Sequence, residues 1–324
     1  MAAIAVACLI AGLRWLMLAG LAGALGGLAG RGLARQYKGA APVPLPAPWA
    51  LRSSLLGLAA TAGLTVVIFS ARALLALPAH PAVAALLSTG QGGLVGVECA
   101  AFALAAGALR LRQPGLSVLP LLAVVLAEAI RAHPQGLVPV GGALLSVVHV
   151  LPAVMWAGML VYALRAAIAW REDPAAMRGL VRLHANAAVW LFAVVVLTGV
   201  VSALVLVPLG ALLSTGYGIM VIVKAVLVAA VAGAAIAGRA WLGRVPDPAQ
   251  SAAPARATRL ECYGLAAVLA ATAVLTVLTP PATPARGVAG RAAHATGTTW
   301  RAGQSTGASS HPGKQATGVS RPPG

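Results

Sequence analysis

Residues 141–165 read GGALLSVVHVLPAVMWAGMLVYALR. The run holds no carboxylate and no lysine, and its one charged side chain, Arg165, closes it. A helix that crosses a bilayer needs about 20 mostly apolar residues, and this run meets that length. Working outward, four more such runs precede it, at roughly 5–29, 53–77, 91–109 and 115–132. Three follow it, at 184–208, 215–240 and 260–279. The first is not a secretory signal, because MAAIAVACLIAGLRW lacks a basic leading segment and keeps Arg14 inside the apolar run. Of the 324 residues 60% are hydrophobic and 9% charged, against about 25% charged in a typical soluble domain. Mean hydropathy is +0.90. Too little polar surface remains for a water-soluble globule, which excludes a cytosolic enzyme, a secreted disulfide scaffold and a disordered chain. The sequence predicts an all-α, polytopic membrane helical bundle of about eight transmembrane helices, with a membrane domain at 1–282.

After Pro281 the apolar pattern stops. Residues 283–324 are dominated by Gly, Ser, Thr, Pro, Arg and Ala, a low-complexity tail expected to be disordered because it cannot bury a core. Its two histidines, His294 and His311, stand 17 residues apart without a companion cysteine or methionine. Cys8, Cys99 and Cys262 lie in separate apolar runs with no CxxC spacing and read as small buried hydrophobes. The net charge of +17 does not point to nucleic acid, because the 23 Lys and Arg are scattered between apolar runs rather than gathered into a patch. The first, third, fifth and seventh loops with their flanks hold 14 of them, Arg31, Arg35, Lys38 and Arg52 among them. The second, fourth and sixth hold only Arg131. Basic loops stay in the cytoplasm, so eight spans place both termini outside.

Ionisable groups inside spans are expensive and mark function by default. On this topology Arg14, Arg72, Glu98, Glu128, His149 and Lys224 all avoid the cytoplasmic half, which suggests a polar site opening outward. Simpler readings stand beside that one. Arg72 can snorkel to the outer headgroups or pair with Glu98, and Lys224 needs an acidic partner, for which Glu98 and Glu128 are the intramembrane candidates. His149 has the richest surroundings. Trp156 follows at i+7 on the same helix face, Met155 and Met159 are spaced i, i+4, and Pro152 frees a backbone carbonyl, as in helices that line cavities. Imidazole and thioether suit soft Cu(I), although histidine also serves as a structural hydrogen bonder and methionine as packing. No HExxH, GxSxG or phosphate-binding glycine loop occurs, and Glu172, Asp173 and Asp247 read as solvated loop charges.

These motifs resemble the copper resistance protein D (CopD) family. HVLPAVMWAGML at 149–160 is similar to its signature of a His followed seven residues later by Trp. LTGVVSA at 197–203 resembles its sixth-helix pattern, and TGYGIMVIVK at 215–224 its T-x-Y-G-x-x-L-x-x-K element. Arg239 resembles the basic residue ending its seventh span, and RLECYGLAAVL before Pro280 and Pro281 its last helix. The resemblance covers residues 140–281. It implies a bacterial inner-membrane protein of about eight spans, not an enzyme, that takes part in copper uptake or tolerance and works beside a periplasmic copper-binding protein. His149, Trp156, Tyr217 and Lys224 match the family motifs. The family's usual second membrane histidine is missing; that region reads LAEAIRAHP, so Glu128 or His133 takes its place as the outer ligand. Ala157 and Gly238 also depart from the family pattern. The copper site expected from these residues is outward-facing, with His149 at its centre, Met155 and Met159 as soft ligands, and Glu128 or His133 toward the surface. A haem-binding redox subunit with His149 as axial ligand is the alternative, and it needs a second ligand at matching depth. A scaffold that has lost metal binding is a third reading.

Overall fold

The computed structural model describes residues 2–36, 45–74, 90–132, 139–170, 174–242 and 253–278. Its helices are α1 (Ala2–Leu21), which passes through a π-helical turn at Ala22–Gly26 into α2 (Gly27–Ala34), then α3 (Ala50–Leu74), α4 (Gly90–Arg110), α5 (Pro114–Arg131), α6 (Pro139–Ala169), α7 (Pro174–Leu206), α8 (Gly216–Leu242) and α9 (Ala253–Leu275). With α1 and α2 counted as one rod, eight helices stand where eight apolar runs are read, and no strand is found among the described residues. Seven are long and apolar enough to cross a membrane, and α9 contributes a shorter apolar stretch, Tyr263–Leu275. It nevertheless packs within the bundle against α8 and α1, where Trp15 Nε1 donates to the carbonyl of Ala266 over 3.0 Å. The tail at 283–324 lies outside the described residues.

Local chemistry explains the boundaries. Proline opens α5, α6 and α7, where its missing N–H costs nothing. Between α4 and α5 the chain reverses in three residues. Arg112 takes a left-handed φ of 57°, while Gln113 N–H bonds to Ala108 O and Arg112 N–H to Leu109 O, the pairing that satisfies the last carbonyls of a helix. Polar side chains within the apolar helices satisfy themselves on their own backbone. Thr61 bonds to Gly57 O and Ser146 to Gly142 O, as polar groups must where no water can reach them.

Helix α6 is the hub. It packs on α5, α7, α9 and the π-turn, around a core of Met17, Leu21, Leu25, Phe102, Leu121, Val124, Trp156 and Leu160. The closest approach is glycine on glycine. A Cβ added to Gly26 would meet Gly158 Cα at 2.6 Å, and one added to Gly158 would run into the carbonyl of Ala22. Small residues at a helix crossing let two backbones meet where hydrophobic force is absent. In contrast, Trp190, Leu197 and Leu204 of α7 and Val226 and Ile236 of α8 are exposed, the faces that lipid covers.

One reading of the loops needs correction. Arg131 is not a loop residue but the last residue of α5, with 7% of its side chain exposed. The carboxylates of Glu98 and Glu128 hold it there, so it does not count toward topology.

Candidate functional site

Two polar clusters lie toward the end of the bundle where α5 finishes and α6 and α8 begin. The first joins three helices. Arg131 Nη1 reaches Glu98 Oε1 at 2.7 Å and also pairs with Glu128 one turn before it on α5. Arg14 of α1 reaches Glu128 Oε1 at 3.4 Å. Glu98 is fully buried, and Glu128 and Arg14 are each 8% exposed. Two cations thus meet two anions, which leaves the quartet neutral and able to sit in hydrocarbon. The sequence reading found Arg14, Glu98 and Glu128 but missed Arg131. The i, i+3 spacing of Glu128 and Arg131 within LAEAIR was the available signal.

This pairing decides several expectations. Glu98 takes Arg131 as its partner, while the side chain of Arg72 lies outside the described residues, as does His133. Glu128 is engaged by two guanidinium groups. Lys224 therefore receives neither carboxylate, and no ion pair is found for it among the described residues.

The second cluster is built across α6 and α7. His149 is half-buried and its Nδ1 lies 3.0 Å from Thr198 Oγ1. A Cβ on Gly199 would come within 3.2 Å of the ring's Cε1, so the glycine leaves the imidazole its place. Farther along the same interface the Trp156 ring meets Phe192 edge to face, with centroids 5.5 Å apart. The α6 face that carries His149 and Trp156 is thus the face that α7 covers. The protonation of His149 follows from its partner. The Thr198 hydroxyl donates to Val194 O at 2.6 Å, so its oxygen accepts from His149 Nδ1–H, and Nε2 keeps the lone pair. A hydrogen bond on one ring nitrogen that orients the other is the usual support of a metal-ligating histidine.

The thioethers are not gathered at that nitrogen. At 1.5 Å per residue Met155 lies about 9 Å and Met159 about 15 Å along α6 from His149. Met159 is 4% exposed and Met155 packs against the core. No group of three or more His, Cys, Asp or Glu side chains placed to hold a metal occurs among the described residues. Tyr217 is buried beside Leu206, Val207 and Leu275 at the head of α8. Lys224 is half-buried, eight residues into α8. His184 is separated from Thr198 by 14 residues of α7, about 21 Å, so it and His149 cannot share a haem.

Together the helices and the buried charges define a polytopic helical membrane protein with polar sites in one half of its span. No curated protein and no solved structure matches the chain. Residues 178–275 match the family model described as copper resistance protein D, a family of membrane copper-resistance proteins. The match takes in Thr198, Gly199, Tyr217 and Lys224, and begins after the stretch that carries His149.

Proposed function

We propose that this protein handles copper at the bacterial inner membrane, in uptake or tolerance, and that His149 Nε2 is its first intramembrane ligand. The Thr198 bond carries the reading, because it leaves one imidazole nitrogen with its lone pair and a fixed orientation. The family match across the residues that hold the ring supports copper as the cargo. Imidazole and thioether are ligands that suit Cu(I). From His149 the ion moves along α6 to Met155 and then to Met159, soft groups set successively deeper. The basic loops support a site open to the outer face, with both termini outside and a periplasmic copper-binding protein as donor. In this reading the chain carries copper and catalyses no reaction.

The test is copper content and copper-dependent growth in cells carrying His149→Ala at matched membrane levels. A folded variant that loses both supports the assignment, and Met155→Leu and Met159→Leu then give smaller, graded losses, since thioethers are individually weak ligands. A folded His149→Ala protein with unchanged copper content refutes it.

A further inference from the structure

Toward the far end of α6, about 24 Å along the axis from His149, the chain builds a feature that copper handling leaves unused. Residues 45–49 lie as a strap on α6. The Tyr162 hydroxyl donates to Pro46 O over 3.1 Å, and Arg165 Nη1 donates to Ala47 O over 2.8 Å. The Arg165 guanidinium also lies over the Trp49 ring, 4.0 Å from its centroid. Between the strap, α6 and the π-turn is a crevice lined by Gly23, Gly27, Gly158 and Val161, with Trp49 and Arg165. Trp49 and Val161 are exposed, so the crevice opens on the outside of the bundle. Its volume of about 20 Å³ has room for one water-sized group, far below the roughly 300 Å³ at which small-molecule sites begin. A single methylene chain laid along it fits, and a compact ligand does not.

The arginines beside the crevice call for an anion. Arg165 stands four residues before the end of α6 at Ala169, about 6 Å, a depth from which its stem reaches the headgroups. Arg31 follows Gly27 by one turn on the same face of α2. Its neighbour Gly30 lies against Tyr162, where an added Cβ would come 2.9 Å from Tyr162 Cβ. Arg165 is three residues beyond Tyr162, so both arginines neighbour that ring, one from each helix. Arg31 Nε is buried without a hydrogen-bond partner, and a buried donor that lacks an acceptor is costly.

We propose that this crevice binds one anionic phospholipid, with an acyl chain along the glycine-lined groove and the phosphate on Arg31 and Arg165. The site goes beyond the copper reading and does not rest on it. Guanidinium forks match phosphate oxygens, and the phosphate supplies the acceptor that Arg31 Nε lacks. Trp49 stands where indole rings meet headgroups. On the topology proposed above, this end meets the cytoplasmic leaflet, whose surface is anionic. A lipid so placed bridges α2, α6 and the strap, three parts distant in the chain.

The experiment is lipid retention by the purified full-length protein. The protein is delipidated in detergent, given phosphatidylglycerol or phosphatidylcholine with the same acyl chains, and read by native mass spectrometry. The expected result is one phosphatidylglycerol per chain, held on the order of tenfold tighter than phosphatidylcholine. Arg31→Gln and Arg165→Gln each weaken it about fivefold, the effect of one basic residue at an anionic surface, and Arg165→Lys retains part of the binding. Arg31→Gln carries the test if loss of the Ala47 bond leaves Arg165→Gln unfolded. Val161→Trp, which fills the crevice from an exposed position without a change of charge, also weakens retention. Arg110→Gln, at the end of α4 and outside the crevice, leaves it unchanged. Equal retention of the two lipids, or equal losses in Arg110→Gln and Arg31→Gln, overturns the site. Displacement by inorganic phosphate with no effect of Val161→Trp identifies a free-anion site and overturns the lipid assignment.

Discussion

His149 on α6 donates from Nδ1 to Thr198 Oγ1 on α7 over 3.0 Å, and the threonine hydroxyl is itself committed to Val194 O at 2.6 Å. One short chain of hydrogen bonds thus sets both the tautomer and the direction of a half-buried ring between two membrane helices. Removing the hydroxyl tests this. Thr198→Val should weaken copper binding by about 10–100-fold, the usual cost of losing an outer partner of a ligating histidine, and Thr198→Ser should keep most of it. Chelator competition on the purified variants reads the difference, and a Thr198→Val protein that binds as tightly as the parent would show that the bond does not orient a ligand.

The charged quartet makes a different demand. Deleting one member leaves its partners buried and unpaired, which costs about 3–5 kcal/mol. Arg131→Met, which strands Glu98 and half of Glu128, should therefore lower the melting temperature in detergent sharply. Replacing all four residues with apolar side chains of similar volume should restore most of the loss. A single Arg131→Met variant that melts like the parent would remove the quartet from the account of stability.

Gly158 and Gly107 form a matched pair of tests. Gly158→Ala places a methyl group against the Ala22 carbonyl in the π-turn, whereas a Cβ on Gly107 meets nothing within 4 Å. Overpacking of this kind costs about 1–3 kcal/mol. Thermal unfolding should register Gly158→Ala and pass over Gly107→Ala, and equal effects would mean that the contact between α6 and the π-turn is not tight.

Sidedness is open to labelling. With Cys8, Cys99 and Cys262 replaced, a cysteine at Arg112, in the turn between α4 and α5, should react with an impermeant reagent only after the cells are opened. Reaction in intact cells would reverse the topology and turn the His149 site toward the cytoplasm.

Much of the fold was legible before any coordinate. Eight apolar runs appear as eight helices, and the gap between the runs at 91–109 and 115–132 falls where α4 ends and α5 starts. A helix in hydrocarbon must satisfy its backbone internally, so length and apolarity alone identify a span. The site was legible in part. His149 stood out as a lone imidazole in a span, and the i+7 spacing correctly put Trp156 on its face, because both properties belong to a single helix. Thr198 did not stand out, since a threonine that bonds its own helix is common in membrane segments.

What the sequence determined by itself was which segments are apolar helices and which ionisable groups they carry, because transfer into lipid depends on each segment's own composition. Partnership was decided by the tertiary structure alone. On the sequence alone Glu98 could pair with Arg72, and either Glu98 or Glu128 with Lys224. Packing α1, α4 and α5 together assigned them to Arg14 and Arg131. An ion pair forms only within a few ångströms, a distance fixed by how helices far apart in the chain come to lie side by side. That same packing set Thr198 against His149.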